Sequence, residues 1–178
     1  MSAQATEARP AVTTRPATAA DAAQMAALLN RIIEIGGTTA HQRRFDDARM
    51  TQEYIEAAEL ISCTVAEVGG DVLGFQALEW PHPKGTRKLP EGWAIIASFV
   101  RPGAQGRGIG QALWAATRAA AIGAQVRMID ATIRADNAAG LAYYSGLGFA
   151  DYAVLHAIAL ADGTPVDRIS KCRDPGRA

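Results

Sequence analysis

The sequence predicts a mixed α/β fold, with helices on the faces of one sheet. Three observations carry this. Strand-like and helix-like segments alternate in the order β-α-α-β-β-β-α-β-α-β-β. A run of consecutive strands precedes strand–helix–strand units, a pattern that gives a mixed sheet. The chain has 178 residues, 49% of them hydrophobic, and at that length one domain hides about 70% of its unfolded surface without covalent staples.

Val12–Arg15 is short, β-prone and followed by Pro16, which makes it a first edge strand. Thr18-Ala-Ala-Asp21 has the form of a capping box, and Asp21 sits at the favourable pole of the helix it opens. Met25, Leu28, Leu29, Ile32 and Ile33 then recur at helical spacing over Asp21–Ile35, until Gly36-Gly37 stops the helix. A polar stretch, Thr38–Met50, leads to a second helix around Gln52–Leu60. Cys63–Val68 and Val72–Trp80 form a hairpin about Gly69-Gly70-Asp71, where glycine supplies positive φ cheaply. After the loop Pro81–Glu91, the apolar run Trp93–Val100 reads as a central, buried strand. Ile109–Ile122 is an amphipathic helix and Val126–Ile133 a strand. Asn137–Leu147 is a short helix closed by Gly148, with Phe149 folding back on it. Tyr152–Leu160 and Pro165–Ser170 flank the hairpin turn Asp162-Gly163. A single domain is expected over residues 12–174, with tails at 1–11 and 175–178.

Composition narrows the function classes. Lys and Arg total 18, as do Asp and Glu. The overall positive surplus of a nucleic-acid binder is missing, so no nucleic acid is expected as a partner. No apolar run reaches the length of a membrane span, the N-terminus lacks an apolar signal core, and two cysteines make no disulfide framework. A cytoplasmic protein without a membrane partner is the expectation.

The most informative segment is Val100-Arg-Pro-Gly-Ala-Gln-Gly-Arg-Gly-Ile-Gly-Gln-Ala-Leu113. A strand empties into a glycine-rich turn that opens a helix. Gly106, Gly108 and Gly110 let a ligand approach the backbone, the unpaired N–H groups of the first helical turn form an anion cradle, and Arg107 adds a mobile positive charge. The spacing is neither the dinucleotide G-x-G-x-x-G nor a P-loop. About thirty residues later comes Asn137-Ala-Ala-Gly-Leu-Ala-Tyr-Tyr144-Ser-Gly-Leu-Gly148-Phe149. Asn137 and Tyr144 are two helical turns apart and share a face.

Gln105-Gly-Arg-Gly-Ile-Gly110 resembles the Q/R-x-x-G-x-G/A signature of the GNAT superfamily of N-acetyltransferases, and the second segment resembles that family's N-x-x-A/G-x-x-x-Y-x-x-x-G-F. The resemblance implies a mostly antiparallel seven-stranded sheet with one splayed parallel pair, Trp93–Val100 and Val126–Ile133. It implies acetyl-CoA as co-substrate, with no metal. Its pyrophosphate would meet the backbone of Gln105, Gly106, Arg107, Gly108, Ile109 and Gly110. Its pantetheine arm would lie against Phe99, Val100 and the helix opened by Asn137. Tyr144 would be the general acid for the leaving thiolate.

An acceptor amine must be neutral to attack, so a base or a water relay is needed near pH 7. Many relatives carry a Glu in the strand before the phosphate loop, whereas Trp93–Val100 has no acidic residue. Glu34, Glu79 and His41 are the candidates. The acceptor pocket is expected between Thr38–Met50 and Pro81–Glu91. Arg43 or Arg44 is placed to clamp a substrate carboxylate, Trp80 or Trp93 to line the pocket, and Tyr143 to pack away from the site. The runs Gly36-Gly-Thr-Thr-Ala40 and Asp162-Gly-Thr-Pro-Val-Asp-Arg168 resemble small-molecule and amino-acid-type members of the superfamily, and the expected reaction is acetyl transfer to a small-molecule primary amine, an amino acid or its analogue among the candidates. The alternatives are a protein N-terminal or lysine acceptor and a non-catalytic acyl-CoA-binding module. A homodimer through the terminal hairpin is an open expectation.

Overall fold

The computed structural model describes residues 11–85 and 87–177, so the N-terminal tail expected at 1–11 falls almost wholly outside it. The elements are β1 (Thr13–Pro16), a 3-10 turn (Ala19–Asp21), α1 (Ala22–Ile35), α2 (Asp47–Met50) continuing as a π-helical turn (Thr51–Ile55), β2 (Leu60–Val68), β3 (Asp71–Glu79), β4 (Trp93–Val100), α3 (Ile109–Gly123), β5 (Met128–Arg134), α4 (Ala138–Gly146), β6 (Ala150–Ala159) and β7 (Pro165–Arg173). The strands form one seven-stranded sheet in the order β1-β2-β3-β4-β5-β7-β6. Every neighbouring pair is antiparallel except β4 and β5.

The parallel pair is short. Trp93, Ala94 and Ile95 pair with Met128, Ile129 and Asp130, and pairing then ceases although β4 runs on to Val100. β4 is therefore central, as expected, but only Ala94 and Ile96 are buried along it. Beyond Ile95 the strand keeps β3 as a neighbour but lacks one on its β5 side.

Side chains alternate across the sheet, as the period of two dictates. On one face Phe75 and Ala77 pack with Met25, Leu29 and Tyr54 in the core beneath α1. On the other, Leu78, Ala94, Ile96 and Ile129 pack with Trp114, Tyr144 and Phe149 of the α3–α4 side. Asp21 accepts from the Thr18 backbone N–H and hydroxyl, and Arg15 binds both Asp21 and Glu67. The capping box and the edge strand are thus locked together.

Two segments depart from expectation. The second helix starts at Asp47, where Asp46 caps it by accepting from Arg49 N–H at 2.8 Å. It ends at Ile55, because Leu60 and Ile61 belong to β2. At the other end of the chain, Pro175 is buried and its carbonyl accepts from Arg118 Nε at 2.7 Å, so this part of the expected tail lies against α3.

Candidate active site

Where β4 and β5 part, a cleft passes through the sheet. On its wider side a cavity of about 790 Å³ is bounded by β4, the loop after it, the start of α3 and α4. Ser98, Phe99, Val100, Gln105, Gly106, Gly108, Ile109, Gly110 and Asn137 all face it. Arg107 stands exposed and outside its lining. Gly106 and Gly108 adopt φ of +76° and +77°, a region side chains rarely enter, and a Cβ on either would meet nothing within 4 Å. Both therefore turn backbone toward open space, and Gly108 is the residue that opens α3. Gly110 has another purpose. A Cβ there would lie 2.5 Å from the Tyr143 ring. Gln105 braces the turn, its Oε1 accepting from Gly103 N–H at 2.8 Å.

A second cavity of about 220 Å³ adjoins the first, sharing Thr38, Ser98, Phe99, Asn137, Gly140 and Tyr143 with it. Tyr144, His41, Arg134 and Arg168 also line this inner space. Tyr144 Oη lies 2.7 Å from Ser98 Oγ. Ser98 Oγ in turn accepts from Gln76 Nε2 at 2.7 Å. Gln76 also donates to Tyr143 Oη at 3.1 Å, and Tyr143 Oη donates to the Gly110 carbonyl at 2.8 Å. Tyr143 was expected to point away, yet it borders both cavities, because Gly110 leaves room for its ring. Burial pushes the Tyr144 phenol above its ordinary range, only partly offset by the Ser98 hydrogen bond. A phenol so placed keeps its proton, as an acid must.

Asn137 does two things at once. Its Oδ1 accepts from Gly140 N–H at 2.9 Å and caps α4, while its Nδ2 donates to the Thr38 carbonyl at 2.9 Å. A Cβ on Gly140 would meet this same amide at 2.6 Å, so the glycine makes room for the Asn137 side chain.

A third cavity, about 330 Å³, opens on the α1–α2 side and holds Glu53, Glu59, Glu79, Trp80 and His82. His41, Tyr54 and Ala97 belong to both it and the inner cavity. Burial raises the Glu79 carboxyl above the usual range, helped by Glu59 and Glu53. Burial lowers His41, whose Nε2 lies 2.7 Å from Tyr54 Oη. Among the candidate bases, the structure thus brings His41 and Glu79 to one cavity. Glu34 is held by Arg44 and by Arg31 at 3.4 Å on the exposed end of α1, apart from all three cavities. Arg43 and Arg44 are exposed and outside the linings too, and Trp93 packs edge-on against Tyr152 with centroids 5.4 Å apart. Among the described residues, the loop Pro81–Glu91 gives the third cavity only His82. Arg87 instead reaches the fully buried Asp130 at 2.6 Å. Tyr54, Gln76, Ser98 and Arg134 went unnoticed in the sequence, and Arg168 entered only as the end of the run after Asp162, with no role of its own. Arg168 had one faint signal, its place just beyond the Asp-Gly turn.

The comparisons agree with this geometry. The profile of the acetyltransferase (GNAT) family matches residues 25–149. Among curated proteins none matches significantly. Solved structures similar to the chain include a ribosomal-protein-alanine N-acetyltransferase from Brucella melitensis, at 24% identity and TM-score 0.78, covering 91% of this chain and 99% of that one. The phosphinothricin acetyltransferase Pat from Sinorhizobium meliloti, in complex with AcCoA, is 21% identical with TM-score 0.76, covering 92% and 88%. yncA from Salmonella typhimurium, with its cofactor acetyl-CoA, is 22% identical with TM-score 0.72, covering 94% and 96%. No helix among the described residues is long and apolar enough to cross a membrane. A family match over most of the chain, joined to a sheet that parts beside a glycine-lined helix start, leads to one conclusion: the chain belongs to the acetyltransferase (GNAT) family and is an enzyme.

Proposed function

We propose that the chain moves an acetyl group from acetyl-CoA to the primary amine of a small molecule, with Tyr144 as general acid. One observation carries the reading above the others. Tyr144 lines the inner cavity, and its hydroxyl is hydrogen-bonded to Ser98, which borders both that cavity and the donor-sized one. The residues fit the donor. The turn at Gly106 and Gly108 and the N–H groups that open α3 suit its pyrophosphate. β4 beyond Ile95 has no partner on the β5 side, which leaves peptide groups free for an extended amide-bearing arm. When bound, acetyl-CoA supplies the acyl group as a thioester.

The remaining work falls to side chains. Ser98 accepts from Gln76 and so has its own proton to give to Tyr144. Tyr144 can then direct its proton at the departing sulfur, and Ser98 stabilises the phenolate left behind. The amine enters from the third cavity, past Glu79, and loses its proton to His41. That imidazole lies where the two acceptor-side cavities join, and burial keeps it neutral. The enclosed size of these cavities favours a small acceptor. A protein acceptor is the second reading, supported by the likeness to the ribosomal-protein-alanine enzyme.

The test is steady-state acetyl transfer, read by free-thiol release across a panel of amines and peptides. Tyr144→Phe is expected to lower kcat by about 10²-fold or more while acetyl-CoA affinity stays within a few-fold. Unchanged turnover would remove Tyr144 from the acid role. A calorimetric titration showing no binding of acetyl-CoA to the folded chain would overturn the donor.

A further inference from the structure

Among the described residues, one guanidinium of the inner cavity has no carboxylate paired with it. Arg168 lies on β7 directly across from Arg134 on β5, and both line the cavity. Arg134 is satisfied by Asp136 at 2.6 Å and by the Thr39 carbonyl at 3.3 Å. Arg168 has no such partner. Its Nε is buried without a hydrogen bond, and among the described residues no carboxylate lies within ion-pair distance of it. The charges that bear on it, those of Arg134 and Arg87, have its own sign. Burial comes first, then Arg134 and Arg87, in working against its charge. A half-buried guanidinium among others of like charge is unfavourable unless an anion joins it, and its planar fork fits two carboxylate oxygens.

We infer that the acceptor amine carries a carboxylate, as a free amino acid does, and that Arg168 binds it within the inner cavity. The inference rests on the acetyl-transfer reading above and narrows its substrate class. The donor's phosphates are an unsuitable occupant, since Arg168 borders the inner cavity and not the larger groove that holds the glycine turn. The arginines at 43 and 44, first suited to this clamp on sequence grounds, lie outside the cavity, and Arg168 takes the role instead. Thr39 lines the same cavity; its Oγ1 accepts from His41 N–H, so its own proton is left for a remaining carboxylate lone pair.

The experiment uses the whole chain, acetyl-CoA and matched probes: the free L-amino acids, their carboxamides, the corresponding decarboxylated amines, and a short peptide beginning with alanine. The best amino acid is expected to exceed its own amide in kcat/KM by about ten- to a hundredfold, the span of one charge-assisted pair. In Arg168→Gln that ratio should fall close to one, chiefly through KM for the amino acid. The KM for acetyl-CoA should stay within about twofold, and Arg168→Lys should restore part of the preference. The wild-type comparison needs no variant, so a misfolded glutamine variant leaves the test standing. Amines acetylated without regard to the carboxylate, or the peptide preferred to every free amino acid, would overturn this inference and spare the acetyl-transfer reading. Failure of every probe to be acetylated would overturn both. A glutamine variant with its preference intact would remove Arg168 from the subsite.

Discussion

Asp21 shows how much one carboxylate can hold in place. It accepts from Thr18 at the start of α1 and pairs with Arg15 at 2.8 Å, which holds its carboxyl down at about 2 from an ordinary 3.8. A lowered carboxylate stabilises the fold above the unfolded value and ceases to do so as pH falls through the folded one. Its contribution should therefore disappear between about pH 4 and pH 2. Asp21→Asn should abolish that part of the acid-unfolding profile and cost on the order of 1 kcal/mol at neutral pH, once the half-exposed Arg15 is discounted for solvent. Denaturant unfolding of both forms across that range checks it. On the proposed reaction, the pH dependence of turnover is expected to follow another pair. His41 is lowered from 6.5 and Glu79 raised from 4.5, so a base drawn from either rises into activity between those values. If His41 is the base, His41→Ala removes this limb of the kcat/KM profile while Glu79→Gln leaves it. The opposite outcome moves the role to Glu79. Tyr144 and Asn137 were legible in the sequence through the resemblance of their segment to the family signature, and the seven-residue spacing on one helix agrees with a shared face. Gln76, Ser98 and Arg168 were not. Cross-strand register brings them together, and register has no local signature.

Among the elements, α3 and α4 meet at a point where the tolerance is small. Gly110 faces the Tyr143 ring, whose hydroxyl is anchored to the Gly110 carbonyl itself. The ring cannot retreat without losing that bond. Gly110→Ala should therefore destabilise the chain by about 1–3 kcal/mol through overpacking and weaken acetyl-CoA binding, as thermal melts and calorimetry would show. β6 stores strain of another kind. Ala157, at an irregularity between Leu155 and Ile158, sits at φ +52°, a conformation that costs a non-glycine residue about 1–2 kcal/mol. Ala157→Gly should raise the melting temperature slightly, since relief of that strain exceeds the added freedom of the unfolded chain. Strand and helix positions were read well where punctuation is strong. Trp93–Val100 was read to the residue between Gly92 and Pro102. The second helix was misplaced because its apolar residues merge with β2 and because a π-helical turn breaks the 3.6-residue period.

For the whole molecule, the sheet is held across its middle by the pairs at Trp93, Ala94 and Ile95. β1 to β4 lie on one side of that seam and β5, β7 and β6 on the other. A ligand that lies along the gap joins the two sides. Saturating acetyl-CoA, at about a hundred times its Kd, should add roughly 2.7 kcal/mol to stability, a rise of about 5–10 °C for a chain of this size. Scanning calorimetry with and without the donor measures it, and an unchanged melt would place the donor elsewhere. The order of elements made the mixed sheet legible from sequence. The length of the parallel pairing was not, because nothing local in Ile96–Val100 says that a neighbour is missing.

The two hydrogen bonds of the Asn137 amide, accepted from Gly140 on one side and donated to Thr38 on the other, act mechanically as a pin. The strap bearing His41 cannot swing outward without tugging on the first turn of the helix that carries Tyr144. Release of the strap to admit a bulky acceptor would loosen the acid on the opposite wall. The proposed proton donor and the proposed proton acceptor are in this way kept in step by one amide, and a substrate too large for the closed strap would meet a loosened site.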